Sequence, residues 1–251
     1  MAAAAHRTVN LATADGMVPV KVFDPRDARG GVIVYMDAFG WRDELDRLCL
    51  MFAEAGYRTF LPDLFWRQGT LRFSPPPSAD EPFDSAMVAA NLAMTMVMTV
   101  ADTGAILAEF AGGGPGRCRS FGTVGYCMGA RHALAAAGVY PNAIRYAACL
   151  HGGRMVTDDP SSPHLLIPRV KGRVYLAFAQ HDHTCPPEHQ AILRDILAAS
   201  GVRGEAELYA AEHGWTFPDR WCHDPAAAAA VHAKVIRDLD EEVAGRGSLG
   251  S

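Results

Sequence analysis

The sequence is poor in several features that would assign it quickly. It has no C-x-x-C pair. Its six cysteines (Cys49, Cys118, Cys127, Cys149, Cys185 and Cys222) are scattered through 251 residues. That pattern excludes a disulfide framework and reads as reduced thiols in a cytoplasmic protein. It has no basic excess: Lys plus Arg is 23, Asp plus Glu is 28, and the net charge is −5. Phosphate-backbone binding needs a basic stripe, so nucleic acid is not an expected partner. It also lacks an uninterrupted hydrophobic run. The most apolar window, "AMVAANLAMTMVMTVA" (86–101), is broken by Asn91, Thr95 and Thr99. A membrane span takes roughly 20 apolar residues, so none is expected. "MAAAAHRTVN" has no basic start and does not read as a signal peptide. No repeat and no second domain is visible, and the closing "GRGSLGS" is expected to be a loose tail.

What is present is a chain 49% hydrophobic, enough for one sizeable core. Strand-like and helix-like segments alternate. "GVIVYM" (31–36), "YRTFLPDL" (57–64), "RSFGTVGY" (119–126), "IRYAACL" (144–150), "RVYLAFA" (173–179) and "EAELYAA" (205–211) read as strands. Helices are predicted over 42–56, from Asp84 to Phe110, and over 128–138, 187–200 and 225–243. "VPVKVF" (18–23) adds an antiparallel strand, and the proline-rich 66–83 must be irregular. The pattern predicts a single α/β domain with a core over about 15–243. Its central sheet is mostly parallel, with helices on both faces.

Such sheets bind ligands beyond the carboxyl ends of their strands. One set of residues there fits a known arrangement. In "TVGYCMGARHALAAAG" (123–138), glycines flank Cys127 at two residues on either side, between a strand and a helix. That is the signature of a nucleophile elbow, whose partners follow in the order nucleophile, acid, histidine. Asp182 follows the 173–179 strand and His213 follows the 205–211 strand. An imidazole can take the thiol proton, and a carboxylate fixes the imidazole tautomer. The backbone N–H groups of Met128 and Ala38 are the natural donors to a tetrahedral oxyanion.

Each residue also has a plainer reading. A lone cysteine is usually a small core hydrophobe, as expected for Cys49, Cys118 and Cys149. Asp182 could cap the following helix, although Pro186 and Pro187 start that helix well. His223 and His232 compete with His213. His232, in the last helix, is expected on the surface. "HDH" (181–183) raises a metal alternative in which His181, His183 and His213 are ligands. The reading favoured here has no metal.

With elbow, acid and histidine placed, the sequence resembles the dienelactone hydrolase family of α/β-hydrolases. The resemblance rests on "GYCMGA" (125–130), "QHDHTCP" (180–186), "EHGWTFPDR" (212–220) and "HGGRMVTDDPSSPHLL" (151–166). It implies a cofactor-free cytoplasmic hydrolase, of the carboxymethylenebutenolidase type, that opens lactones or small esters through an acyl-enzyme on Cys127. Two positions depart from the family pattern. The family glutamate that gates the thiol corresponds to Asp37, which is the gating candidate here. The arginine expected four residues past the histidine is Phe217. Arg220, Arg67, Arg72 and Arg154 sit in segments that could reach the cleft. Phe39, Trp66, Arg72, His151, Arg154, Trp215 and Phe217 are the candidate pocket residues, with Trp41 adding to an aromatic character. The expected partner is a small ester or lactone, and the expected state is a monomer or homodimer. The alternatives are a carboxylesterase or thioesterase without dienelactone activity, and a catalytically silent binding protein on the same fold.

Overall fold

The computed structural model describes residues 6–245. The alanine-rich start and the tail beyond Gly245 lie outside them, and with them the expectation of a loose tail. Eight strands form one sheet: β1 (Arg7–Thr13), β2 (Gly16–Phe23), β3 (Gly31–Tyr35), β4 (Arg58–Pro62), β5 (Phe121–Tyr126), β6 (Ile144–Leu150), β7 (Arg173–His181) and β8 (Gly204–Glu212). Their order is β1-β2-β4-β3-β5-β6-β7-β8. β1 with β2, and β2 with β4, pair antiparallel, and every other pairing is parallel. The helices are α1 (Asp43–Glu54), α2 (Ser85–Ala93), α3 (Met96–Phe110), α4 (Met128–Val139), α5 (Pro187–Ala199) and α6 (Pro225–Glu242).

The central strands are buried on both faces, which explains their unbroken apolar runs. Successive residues of β5 show the two layers. Gly122 lies against Leu239 of α6, where an added Cβ would meet the leucine at 2.4 Å. Thr123 points the other way and donates to the Ala133 carbonyl of α4 at 3.1 Å. The α/β architecture is therefore the expected one, with helices on both faces.

Three details differ from the sequence reading. β1 lies before residue 15, where the core was expected to begin. It is an edge strand paired only to β2, and its largely exposed residues give little hydrophobic signal. The single helix predicted from Asp84 to Phe110 is two helices bent by 68° at Met94–Thr95. Asp84 caps the first, its Oδ1 accepting from Ala86 N at 2.7 Å. Thr95 caps the second, accepting from Met98 N at 3.3 Å. Among the described residues no single helix is long and apolar enough to cross a membrane. Finally, His232 is buried, not on the surface. It shares the inner face of α6 with Ala228, Val235 and Leu239, and its Nε2 meets the Tyr126 hydroxyl at 3.1 Å. Burial pushes its pKa down to about 4, so it sits there neutral.

Candidate active site

Sheet register brings the strand ends together. Tyr35 of β3 lies beside Gly125 of β5, so the loop starting at Asp37 faces Cys127. Tyr126 pairs with Leu150 of β6, which sets His151 alongside. His181 of β7 pairs with Glu212 of β8, so the next residues, Asp182 and His213, are neighbours.

The turn at Cys127 needs its glycines. A Cβ on Gly125 would meet the Gly129 carbonyl oxygen at 2.1 Å, and one on Gly129 would meet that of Tyr35 at 2.2 Å. Cys127 itself has φ +51° and ψ −113°, a conformation costly for a residue with a side chain. The strain lifts the thiol above the sheet at the N-terminus of α4, where the helix dipole favours an anion.

His213 and Asp182 complete a linear arrangement. His213 Nδ1 lies 2.7 Å from Asp182 Oδ2, which leaves Nε2 free for the pocket that His213 shares with Cys127. The other oxygen, Oδ1, accepts from Thr184 N (2.8 Å), Thr184 Oγ1 (2.7 Å) and Cys185 N (3.2 Å). Asp182 thus caps the turn as well as holding the histidine. Burial works against its charge, but His213 and Thr184 outweigh it and hold the carboxyl down at about 2. Burial likewise opposes charge on His213. The electrostatic influence of Cys127 and the hydrogen bond to Asp182 prevail and push it up to about 10. A half-buried thiol beside a buried imidazole and carboxylate can pass one proton between sulfur and nitrogen while the carboxylate stays ionised.

The sequence profile of the dienelactone hydrolase family matches residues 18–242. The chain belongs to the dienelactone hydrolase family. A Salmonella typhi protein carrying the name carboxymethylenebutenolidase is 26% identical over 199 residues, which span 78% of this chain and 66% of that protein. A Klebsiella pneumoniae structure assigned as a dienelactone hydrolase superposes with a TM-score of 0.79 at 18% identity, covering 94% of this chain and 98% of that one. A dienelactone hydrolase-like promiscuous phosphotriesterase, P91, from metagenomic libraries, gives 0.73 at 17%, covering 95% and 98%. The fold is the α/β-hydrolase fold, and the family is one of hydrolases.

Against the family pattern, the candidate residues divide. Cys127, His213, Ala38 and Phe39 line one pocket of about 170 Å³, with Phe83, Met87, Val88, Asn91, His183, Thr184 and Arg220. Met128 adjoins it as the first residue of α4. Neither the Ala38 nor the Met128 N–H has an acceptor among the described residues. Asp37, the position of the family glutamate, does not turn to the thiol. Its carboxylate takes both Arg42 terminal nitrogens at 2.6 and 2.8 Å and the Phe39 N–H at 3.2 Å. Arg42 in turn reaches Asp219 at 2.5 Å, past the last strand, and lies over the Phe217 ring at 4.6 Å.

The remaining candidates lie outside this pocket. Trp66 donates to Asp102 at 3.3 Å under Arg67, which pairs with the same carboxylate at 3.0 Å. Arg72 is tied to Asp63 at 3.0 Å. Trp215 and Phe217 are fully buried and act as packing beneath the site. His151 is also buried, at φ +38°, with Nε2 2.8 Å from the Thr216 hydroxyl and its ring 5.2 Å from that of His213. Arg154 opens onto a neighbouring cleft. For the metal alternative, no three His, Cys, Asp or Glu side chains among the described residues are gathered to hold an ion. Sequence reasoning missed Arg42, Asn91 and Arg131. Only Arg131 left a trace, one helical turn after Cys127.

Proposed function

We propose that the protein is a cysteine-dependent hydrolase of small lactones or esters, working through an acyl-enzyme without a cofactor. The observation that carries this reading is the strained Cys127 at the elbow, sharing one pocket with a histidine whose Nδ1 is fixed by Asp182. Proton transfer from sulfur to His213 gives a thiolate–imidazolium pair. The thiolate attacks the carbonyl carbon, and the oxyanion is met by the N–H groups of Ala38 and Met128. As the C–O bond breaks, the His213 imidazolium gives its proton to the leaving oxygen, leaving a thioester on Cys127. Neutral His213 then takes a proton from water, the hydroxide displaces sulfur, and the acid product leaves.

The walls supplied by Phe39, Phe83, Met87 and Val88 suit an apolar acyl group. Arg220 is the pocket's cation. It is 6% exposed, its Nε has no partner, and no carboxylate pairs with it among the described residues. It is placed to meet a substrate carboxylate. Phe217 at the family's arginine position favours a second reading, a general esterase indifferent to dienelactone. The test is a panel of lactones and aryl esters assayed on wild type and Cys127→Ala. Saturable release of p-nitrophenol from its acetate ester is expected only in wild type. Activity surviving in Cys127→Ala would end the proposal. Cleavage of aryl esters with dienelactone untouched would select the second reading.

A further inference from the structure

Beside the catalytic pocket lies a second cleft of about 200 Å³, open to solvent. Leu92, Met94, Thr95 and Met96 line one side, and Arg131, Arg154, Thr157, Asp159, Ser161 and Ser162 the other. Its chemistry is unlike that of the apolar pocket. Arg131 is 7% exposed, and its polar partners among the described residues are all uncharged. Nη2 donates to the Asn91 carbonyl at 2.9 Å and to Asn91 Oδ1 at 2.7 Å. Nε reaches His132 Nε2 at 3.4 Å. His132 Nδ1 is bonded to the Thr99 hydroxyl at 3.0 Å, and burial keeps this histidine neutral. Nη1 has no acceptor among the described residues. A buried guanidinium with no carboxylate beside it is costly to keep; Cys127 favours its charge, but burial and the neighbouring Arg154 oppose it. Burial accordingly lowers its pKa to about 10, which still leaves it charged near neutrality.

Arg154 is the second cation. Its side chain makes no hydrogen bond or ion pair among the described residues, and its backbone sits at φ +55°. Glycine would take that conformation without strain, so a side chain there comes at a cost. The remaining groups are donors too. The hydroxyls of Thr95 and Thr157 accept from Met98 N and Asp159 N, which leaves their own protons free. Thr95 also caps α3, a helix of 15 residues, so the positive end of its dipole borders the cleft. The one opposing charge is Asp159 on the rim, with Oδ1 taken by Ser161 N and Oγ.

Two guanidinium groups, two free hydroxyl protons and a helix N-terminus form a donor set with more positions than a carboxylate can fill. We propose that this cleft is a subsite for a phosphate group, carried at the far end of the substrate whose ester bond Cys127 attacks. The inference rests on the hydrolase reading for that last clause alone. Asn91 joins the two cavities: it lines the catalytic pocket and holds Arg131 in place.

The first experiment needs no turnover. Inorganic phosphate is titrated calorimetrically into Cys127→Ala, and into the same background carrying Arg154→Ala, Arg131→Lys or Arg220→Ala. Arg154 is exposed, so its removal leaves the core intact. Phosphate is expected to bind the parent and the Arg220→Ala variant alike. Each cleft variant should weaken it by roughly tenfold or more, through loss of a fork of donors. Acetate should bind less tightly than phosphate. The proposal is overturned if phosphate does not bind, if both cleft variants bind it as the parent does, if the loss falls on Arg220→Ala, or if acetate binds more tightly. The second experiment compares p-nitrophenyl esters of butyrate and 4-phosphonobutyrate on the wild-type protein. A preference for the phosphonate in kcat/KM should fall toward unity in Arg154→Ala. A ratio near unity in wild type overturns the assignment to the substrate. If neither ester is cleaved while phosphate still binds, the hydrolase reading fails and the anion subsite stands.

Discussion

Of the buried aspartates that stand just past strand ends in this sheet, Asp37 after β3 and Asp182 after β7 border the candidate site, and their partners give them different work. Asp182 is bonded to an imidazole, which can hand its second proton to a reacting atom and take it back. Asp37 is bonded through both oxygens to a guanidinium, which does not release its proton. The first pair can take part in proton transfer. The second can only hold shape, and what it holds is specific. Arg42 bridges Asp37 to Asp219, so it ties the loop carrying Ala38 and Phe39 to the segment carrying Trp215, Phe217 and Arg220. A carboxylate's position at a strand end is therefore not enough to assign its role; the cation beside it decides.

The sharpest way to break this contrast is the same substitution at both positions. Asp182→Asn removes the charge that fixes His213 and should lower kcat by about 10⁴-fold, the size known for the corresponding change in a serine triad. Asp37→Asn should cost about 3 kcal/mol of stability in denaturant unfolding, because it leaves Arg42 short of a buried counter-charge. Its effect on kcat should stay within roughly tenfold. If the two results are exchanged, with Asp37→Asn abolishing turnover at unchanged stability, then Asp37 is the working acid and the contrast is reversed.

Next in size is the titration of His213. Its folded pKa of about 10 lies above its ordinary 6.5, so its contribution to stability is complete below 6.5 and is lost as pH rises through 10. Asp182 has the opposite sign. Its folded value of about 2 lies below 3.8, so its contribution is present above 3.8 and is lost as pH falls toward 2. The two together favour a stability maximum between about 4 and 6.5. In Cys127→Ala the sulfur's contribution is gone, and the His213 pKa read by NMR should drop toward its ordinary range. A histidine that still titrates near 10 in that variant would show that Asp182 alone holds the proton.

Arg42→Lys tests the scaffold more gently. Lysine keeps the charge but cannot pair bidentately with Asp37 or stack on Phe217. A loss of roughly 1–2 kcal/mol is expected, with KM rising several-fold and kcat changing less. A fall in kcat with KM unchanged would place Arg42 in the chemistry instead.

The sequence carried the sheet and the elbow because both leave strong local marks. Buried parallel strands are continuous apolar runs, and only glycine fits at Gly125 and Gly129. Asp182 and His213 were legible through chain order at strand ends. The helix break at Met94 was not, because no glycine or proline marks it and the residues on both sides of it are mostly apolar helix formers. Thr95 was the one signal, and it also read as a mere interruption. His232 was legible in principle, since its spacing with Val235 and Leu239 puts it on the inner face of α6. Arg42 was out of reach. Nothing in a residue five places after Asp37 indicates that it will bridge to Asp219, 177 positions away. Arginine side chains are long enough for many partners, and the fold chooses among them.

The smallest expected effect concerns the group that separates the two aspartates most finely. The Thr184 hydroxyl donates to Asp182 Oδ1 at 2.7 Å and lies 3.2 Å from His213 Nδ1. Asp37 has no such hydroxyl, and its second oxygen goes to the guanidinium. Thr184→Val keeps the side chain's shape and its backbone N–H, so the turn should survive. The carboxylate loses one of its acceptor contacts, worth about 1 kcal/mol. With less holding it ionised, Asp182 should titrate above its present value of about 2, and the acid limb of the stability profile should move up in pH. Turnover should fall only a few-fold, because the Asp182–His213 bond itself is untouched. If the acid limb stays where it is, His213 and the backbone N–H groups hold the Asp182 pKa down without the hydroxyl, and the distinction between the two aspartates reduces to imidazole against guanidinium.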